Sequence, residues 1–371
     1  AVLRDISETA DETDARGIDR ATIDALAGVG LLGSPLEPVA RQRELAERLA
    51  MADASVWFSW AQHQTPLMML SQAVPSEQAP HLREIQGRWL SGLQSGRYLG
   101  SVAFAHLRRP GAPNPVAIRK EQGWEITGSL DWVTSWDIAD VALLMVRGAG
   151  EFDDHIVCIY ASAGRSFEHH PGWSVHAPLH LLAMSGTHTR PMSFDHTFFP
   201  DSTVAAVIPL SQWSRMDSAR TVDASPAVFG VARGALTDLE GSMNPRTRNA
   251  QSREREEAPM GDRSHESSKV SLTIDAWTKA IRDLRARAYC GLDEGASAES
   301  RVKVRAEALD LVNRLATASV VARAGGAMVR PNSAERRARE ALFLQVQAQT
   351  AVTRAADRKS TRLNSSHLVI S

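Results

Sequence analysis

The chain has 371 residues, 43% of them apolar, with 42 Lys and Arg against 43 Asp and Glu and a formal charge of −1. That balance speaks against a polyanionic partner such as nucleic acid, and the apolar fraction is ample for two to three packed domains. The two cysteines, Cys158 and Cys290, stand far apart without a CxxC, so a disulfide framework is not expected and a reducing cytoplasm is the simplest compartment.

No apolar run reaches the ~18–20 residues of a membrane span, and the acidic, polar N-terminus is unlike a signal peptide. Residues 1–95 read as helical. Asp19 can cap a helix bearing Ile23, Leu26 and Ala27, with Gly30 to Gly33 ending it. Val39 to Met51 puts Leu45, Leu49 and Ala52 on one stripe. The run from Trp57 to Leu70 has little polar relief, as in a central helix.

Composition changes at Gly96. Short β-rich runs follow at Leu99–Ala105, Val116–Lys120, Trp124–Val133, Val141–Val146, Ile156–Tyr160 and Met192–Phe198, punctuated by Pro and Gly. They predict a small antiparallel barrel or sandwich over 96–207. Within it, Gly123 to Val146 holds attention. Trp124, Ile126, Leu130 and Trp132 share one parity and Glu125, Thr127, Ser129 and Asp131 the other, the period of a half-buried strand. Trp132-Val133-Thr134-Ser135-Trp136 then sets hydroxyls between two indoles before the apolar run Ile138–Val146. Such a corner could wall a flat, polar-edged ring, or be ordinary core.

Helices are expected again after Asp223, where Ser225-Pro226 makes an N-cap and first helical residue leading to Met243. Residues 244–269 read as a long polar loop. Val270, Ile274, Trp277, Ile281, Leu284 and Ala288 form a bundle stripe, as do Ala308, Leu311, Leu315 and Ala322 until Gly325-Gly326 stops them. Ala334 to Ala356 makes the last helix, so 208–356 reads as a helical bundle. Asp357 to His367, DRKSTRLNSSH, matches a translation of sequencing-adapter DNA. Residues 357–371 are therefore expected to be a non-native tail, with the natural chain continuing differently after Ala356.

The order of helices, β-domain and helical bundle resembles the acyl-CoA dehydrogenase superfamily. The stretch GWEITGSLDWVTSWDIADVALL is similar to that family's middle-domain flavin segment. Phe194 to Pro200 resembles the end of its middle domain, and Gly325-Gly326 followed by Glu335-Arg336 and Arg339-Glu340-Ala341 resembles its "GG-G…ER--RDA" stretch. The resemblance implies an α+β multidomain fold with an N-terminal helical domain, a middle antiparallel β-barrel and a C-terminal four-helix bundle. It also implies FAD. Trp132 and Thr134 would lie against the isoalloxazine, Thr134 at its N5 edge, with Val133 and Ser135 beside them. Phe104, Ala105 and His106 would edge the ring, and His106 would stand where charge at N1 and O2 could be stabilised. Gly325, Gly326 and Thr350 would complete the FAD site. No metal is implied.

Three departures bear on activity. The family's "TEP-AGSD" is replaced by Phe104-Ala105-His106-Leu107-Arg108-Arg109-Pro110-Gly111, in which Arg108 and Arg109 could steer an anionic thioester or pyrophosphate or pair as surface charges. The Glu that abstracts the α-proton falls on Ala348, flanked by Gln347 and Gln349, and none of these can act as a base. Asp223 is the remaining candidate base, or simply an acid at a helix N-terminus. Third, the arginine and aromatic pair that reaches a neighbouring subunit's FAD is not recognisable, Arg246 and Arg248 being the only candidates.

The implied function is an FAD-dependent oxidoreductase acting at a Cα–Cβ bond of an acyl-CoA or similar thioester, with an electron-transfer partner and a homodimeric or homotetrameric assembly. A flavin-dependent monooxygenase on the same fold, or a non-catalytic homologue, are the alternatives.

Overall fold

In this computed structural model the described residues are 1–33, 38–76, 80–243 and 263–356, side chains from 272 onward in the last stretch. The expectation of a non-native tail lies outside them, as do residues 244–262 of the polar loop and the candidates Arg246 and Arg248. Two compact units form. One joins Ala1–Leu45 to Ser55–Ser218, the other Ala46–Ala54 to the residues from Ala219 onward.

The first unit begins with α1 (Val2–Glu8), α2 (Ala10–Arg16) and α3 (Arg20–Gly28). The side chain of Asp19 caps α3 by accepting from the Ala21 N–H, satisfying one of the donors every helix leaves open at its start. Helix α4 (Val39–Ala52) runs across the division, and α5 (Ala54–Gln72) and α6 (Leu82–Ser95) follow.

Eight strands then form one sheet: β1 (Gly100–Ala103), β2 (Val116–Lys120), β3 (Gly123–Val133), β4 (Val141–Gly148), β5 (His155–Ser162), β6 (Trp173–Val175), β7 (Arg190–Pro200) and β8 (Val204–Pro209). The order is β6-β7-β3-β2-β4-β5-β8, with β1 on β4. Pairing is antiparallel except at β1–β4 and β2–β4, which run parallel. Strand β4 explains its unbroken apolar run, because both its faces are buried. Ala142, Leu144 and Val146 join Trp124, Ile126 and Phe199 in one core. Val141, Leu143 and Met145 join Leu67, Leu70, Trp89 and Leu93 of α5 and α6 in another. Each such side chain, fully withdrawn from water, contributes about 1.5–3 kcal/mol.

Strand β1 is tied to α5 at its first residue. His63 Nδ1 accepts from the Gly100 N–H at 2.9 Å, and a Cβ on Gly100 would lie 2.6 Å from the Pro66 ring, so only glycine lets the strand pass so close. Arg20 fastens α3 to the strand ends by bonding the Asp140 carboxylate at 2.6 Å and the Ile138 carbonyl at 2.7 Å.

Three elements depart from expectation. Strands β6 and β8 were not foreseen, and the chain is already helical before Asp223, in α7 (Leu210–Thr221). Its sequence LSQWSRMDSART has no apolar stripe, and contacts to distant residues hold it in place.

The second unit packs α8 (Pro226–Met243), α9 (Arg263–Asp293), α10 (Ala298–Arg323) and α11 (Ser333–Val346) with residues 46–54. Ile281, Leu284 and Ala288 of the expected stripe are buried. The carboxylate of Glu47, fully buried, receives Arg285 Nε at 2.6 Å, Arg233 at 3.2 Å and the Tyr289 hydroxyl. On α11, Arg336 and Arg337 each bond Glu340 at 2.9 Å, Arg339 bonds Glu335, and Arg337 also reaches the Ala50 carbonyl at 3.1 Å. The expected last helix is not continuous: it breaks at Gln347–Thr350 and resumes over residues 351–356.

Candidate functional site

The site builds from the end of β3. Trp124, Ile126 and Leu130 are buried as their parity requires, at 2%, 0% and 1% exposure. The ladder with β7 then slips. Leu130 faces Met192 but Val133 faces Arg190, so β3 advances three residues against two. The extra residue is a β-bulge, which reverses the facing of everything after it. Val133 is therefore buried, and Trp132, which simple alternation puts inside, is 46% exposed.

Thr134 follows, buried, with its carbonyl accepting the Ser101 hydroxyl of β1 at 2.5 Å. Its own hydroxyl makes no hydrogen bond among the described residues. Ser135 adopts φ +65°, is fully buried, and its Oγ also lacks a partner. Its N–H donates to the Thr187 carbonyl at 2.7 Å and that of Trp136 to the His188 carbonyl at 3.1 Å. Ser101 and the 184–189 loop thus shape the corner, though nothing in their local pattern announces it.

Phe104 leads β1 into a 3₁₀ turn, Ala105–Arg108, that packs against β3. The turn lies against β3 near Asp131, which pairs with Arg109, while Phe104 packs on Trp213 and Thr134 lies beside Ser101 nearer the start of β1. The roles expected of the basic residues change. One nitrogen of the His106 ring bonds the Met145 backbone, and Nε2 is buried without a partner. Burial above all, with Arg109 adding to it, lowers its pKa to about 4. His106 is consequently neutral at pH 7, and it supplies no positive charge to a ring edge. Arg108 and Arg109 are not free to steer an anion: Arg108 grips Asp217 and Arg109 pairs with Asp131 at 2.5 Å.

The remaining expected residues lie in the second unit. Gly325 and Gly326 sit in a 3₁₀ turn after α10, but neither supplies the left-handed cap. The cap residue is Ala324, whose φ is positive at +50° but whose ψ of −137° is not that of a left-handed cap. A Cβ on Gly325 would meet nothing within 4 Å. Thr350 exchanges bonds with Thr353, its N–H donating to Thr353 Oγ1 at 2.7 Å, and so caps the turn that opens 351–356. Ala348 lies in the break at φ +54°. Asp223 accepts from Arg301 through Oδ1 at 2.6 Å.

The corner in the first unit offers a half-exposed indole and hydroxyls without partners, and its acids are matched by cations, Asp137 by Arg190 and Asp140 by Arg20, both at 2.6 Å. That donor set suits a flat, largely uncharged ring with polar edges. Among the described residues, no cluster of His, Cys, Asp or Glu could hold a metal, and no helix is long and apolar enough to cross a membrane.

The chain has the acyl-CoA dehydrogenase fold. An acyl-CoA dehydrogenase from Geobacillus kaustophilus matches it with a TM-score of 0.72 at 13% identity, over 95% of this chain and 93% of that one. Butyryl-CoA dehydrogenase from Megasphaera elsdenii matches with a TM-score of 0.67 at 16% identity, over 97% and 98%. PigA, solved with FAD and proline, matches with a TM-score of 0.70 at 15% identity, over 98% and 97%. No family model and no curated protein matches the chain.

Proposed function

We propose that this chain is a flavin-dependent oxidoreductase that holds FAD against the corner Trp132–Ser135. The observation that supports this most is the bulge-directed pairing of an outward Trp132 with Thr134, whose hydroxyl makes no hydrogen bond among the described residues, in a chain whose fold is shared with PigA, solved with FAD. Trp132 would cover the ring, Thr134 would donate to its N5 edge, and Val133, Ser135, Phe104 and Ala105 would shape its border. Bound FAD would supply two-electron redox chemistry that no side chain here can provide. Gly325, Gly326 and Thr350 would take the remainder of the cofactor. The open space at Gly325 favours close approach of a group from outside the unit.

The reaction in this reading is oxidation of an acyl thioester at Cα–Cβ, in the cytoplasm, with electrons passed to a partner protein and the chain assembled as a homodimer or homotetramer. Exposed Met328 and Val329 beside the two glycines favour that assembly. A second reading, monooxygenation by reduced flavin and O2, is favoured by a specific pair of observations. The family resemblance sets alanine, Ala348, at the base position, and Asp223 is ion-paired to Arg301. Monooxygenation needs no α-proton base; a non-catalytic homologue is what remains if neither reaction occurs.

The test is titration of the purified chain with FAD, read by the flavin absorption bands. A protein that takes up no FAD sinks the proposal. With FAD bound, anaerobic bleaching by acyl-CoA selects the dehydrogenase, and product formation from reduced flavin and O2 without such bleaching selects the monooxygenase.

A further inference from the structure

The 184–189 loop contains two non-glycine residues in the left-handed region, Met184 at φ +59° and His188 at φ +48°, and it bonds to a third, Ser135 at φ +65°. Three such residues in direct connection is an unusual concentration of backbone strain, a condition that persists only where the surroundings enforce it. The enforcement is visible. Thr187, fully buried, donates its hydroxyl to the Met184 carbonyl at 2.7 Å and bonds Thr189 Oγ1 at 2.8 Å, closing the loop on itself. The Gly186 carbonyl accepts the Ile18 N–H at 2.9 Å.

His188 joins these parts. Its carbonyl accepts the Trp136 N–H at 3.1 Å, while its ring Nε2 donates to the Ile18 carbonyl at 3.0 Å and Nδ1 faces Asp137 at 3.5 Å. The ring packs so tightly on Gly17 that a Cβ there would lie 2.5 Å from His188 Cε1. Its left-handed backbone is what lets ring and carbonyl point to these two places at once.

We propose that His188 is a positioning residue for the flavin corner: anchored at Gly17–Ile18, it holds Ser135 and Trp136 so that Thr134 is presented at a fixed angle. This rests on the flavin reading for its purpose, but not for its mechanics. Only the wild-type loop would hold the corner still before a ligand arrives, which is what a preorganised site requires.

The experiment compares wild type with His188→Ala, His188→Asn and Gly17→Ala. Amide hydrogen exchange without ligand comes first. His188→Ala should speed exchange at Ser135 and Trp136 about 100-fold while the amides of β4 and β5 keep their protection. Asparagine, which tolerates the left-handed conformation but lacks the ring that reaches Ile18, should restore only part of that protection. Gly17→Ala, which displaces the ring and also strains its own backbone at φ +98°, should speed the same two amides, and amides of α2, which ends at Gly17, report the strain separately. In FAD titrations, His188→Ala and Gly17→Ala should weaken binding about tenfold and change the visible circular dichroism of the bound flavin. Unchanged exchange at Ser135 and Trp136 in both His188→Ala and Gly17→Ala overturns the proposal, as does normal FAD affinity with an unaltered dichroism band. If His188→Ala fails to fold, Gly17→Ala decides alone. A wild type that binds no FAD removes the flavin reading and leaves the exchange result to stand or fall separately.

Discussion

Arg108 holds both carboxylate oxygens of Asp217, at 2.8 and 2.6 Å, and its guanidinium lies 5.0 Å from the centre of the Phe104 ring, whose edge meets Trp213. One side chain thus secures α7 to the turn that bears Phe104 and His106. Bidentate pairs of this kind are geometrically specific, and this one is mostly withdrawn from water. Asp217→Ala should lower the unfolding free energy of the first unit by about 2 kcal/mol, measured by urea denaturation. Asp217→Glu should recover part of the loss.

His63 sets an acid limit on the fold. Its ring is fully buried, Nδ1 accepts from the Gly100 N–H while Nε2 has no partner among the described residues, and burial, with the Arg20 charge adding, lowers its pKa from 6.5 to about 4. The unfolded chain therefore binds a proton that the folded chain refuses. Stability from this group is complete above pH ~6.5 and is lost as pH falls toward ~4, to the extent of about 3 kcal/mol. His106 adds a loss of the same sign. Urea midpoints measured from pH 7 to 4.5 should fall, and His63→Gln should flatten the fall.

Thr134→Val removes the hydroxyl and keeps the shape. If Thr134 donates to a bound flavin, affinity drops about tenfold, or ~1.4 kcal/mol, while thermal stability in the absence of ligand stays the same or rises, because no protein bond is broken. A variant that binds and reduces flavin as the wild type does would rule the role out.

In the second unit, Glu47→Ala leaves the arginines and Tyr289 around an emptied site. Breaking a buried ion pair from one side costs about 4 kcal/mol. Guanidinium denaturation should show that loss, with Glu47→Gln intermediate because it still accepts from Tyr289.

Where the pattern was local, it could be read from residues alone. Asp19 capping α3, the bounds of β2 and the two-sided burial of β4 follow from composition and period within a few residues. The outward Trp132 could not be read so, because its facing depends on a slip against Met192 and Arg190, some sixty residues away in the chain. Helix α7 was hidden for a related reason, since Asp217 and Trp213 reveal their purpose only beside Arg108 and Phe104. Gly325-Gly326 marks the helix stop to within a residue, since α10 ends at Arg323 and Ala324 caps it. The order of elements made the overall fold legible. The Trp-Val-Thr-Ser corner stands out in the residues as a candidate, but the pairing of the charges around it does not.

The bulge between Leu130 and Val133 makes the corner a matter of phase rather than of composition. With the extra residue taken out, Leu130 and Val133 would still face inward opposite Met192 and Arg190, but in an unbroken ladder without the kink that turns the chain toward Thr134 and Ser135. Substitutions along this strand change one side chain at a time; a one-residue deletion would straighten the strand that aims the whole corner. Variation in this protein should therefore be far more tolerant of altered letters at 129–133 than of altered length.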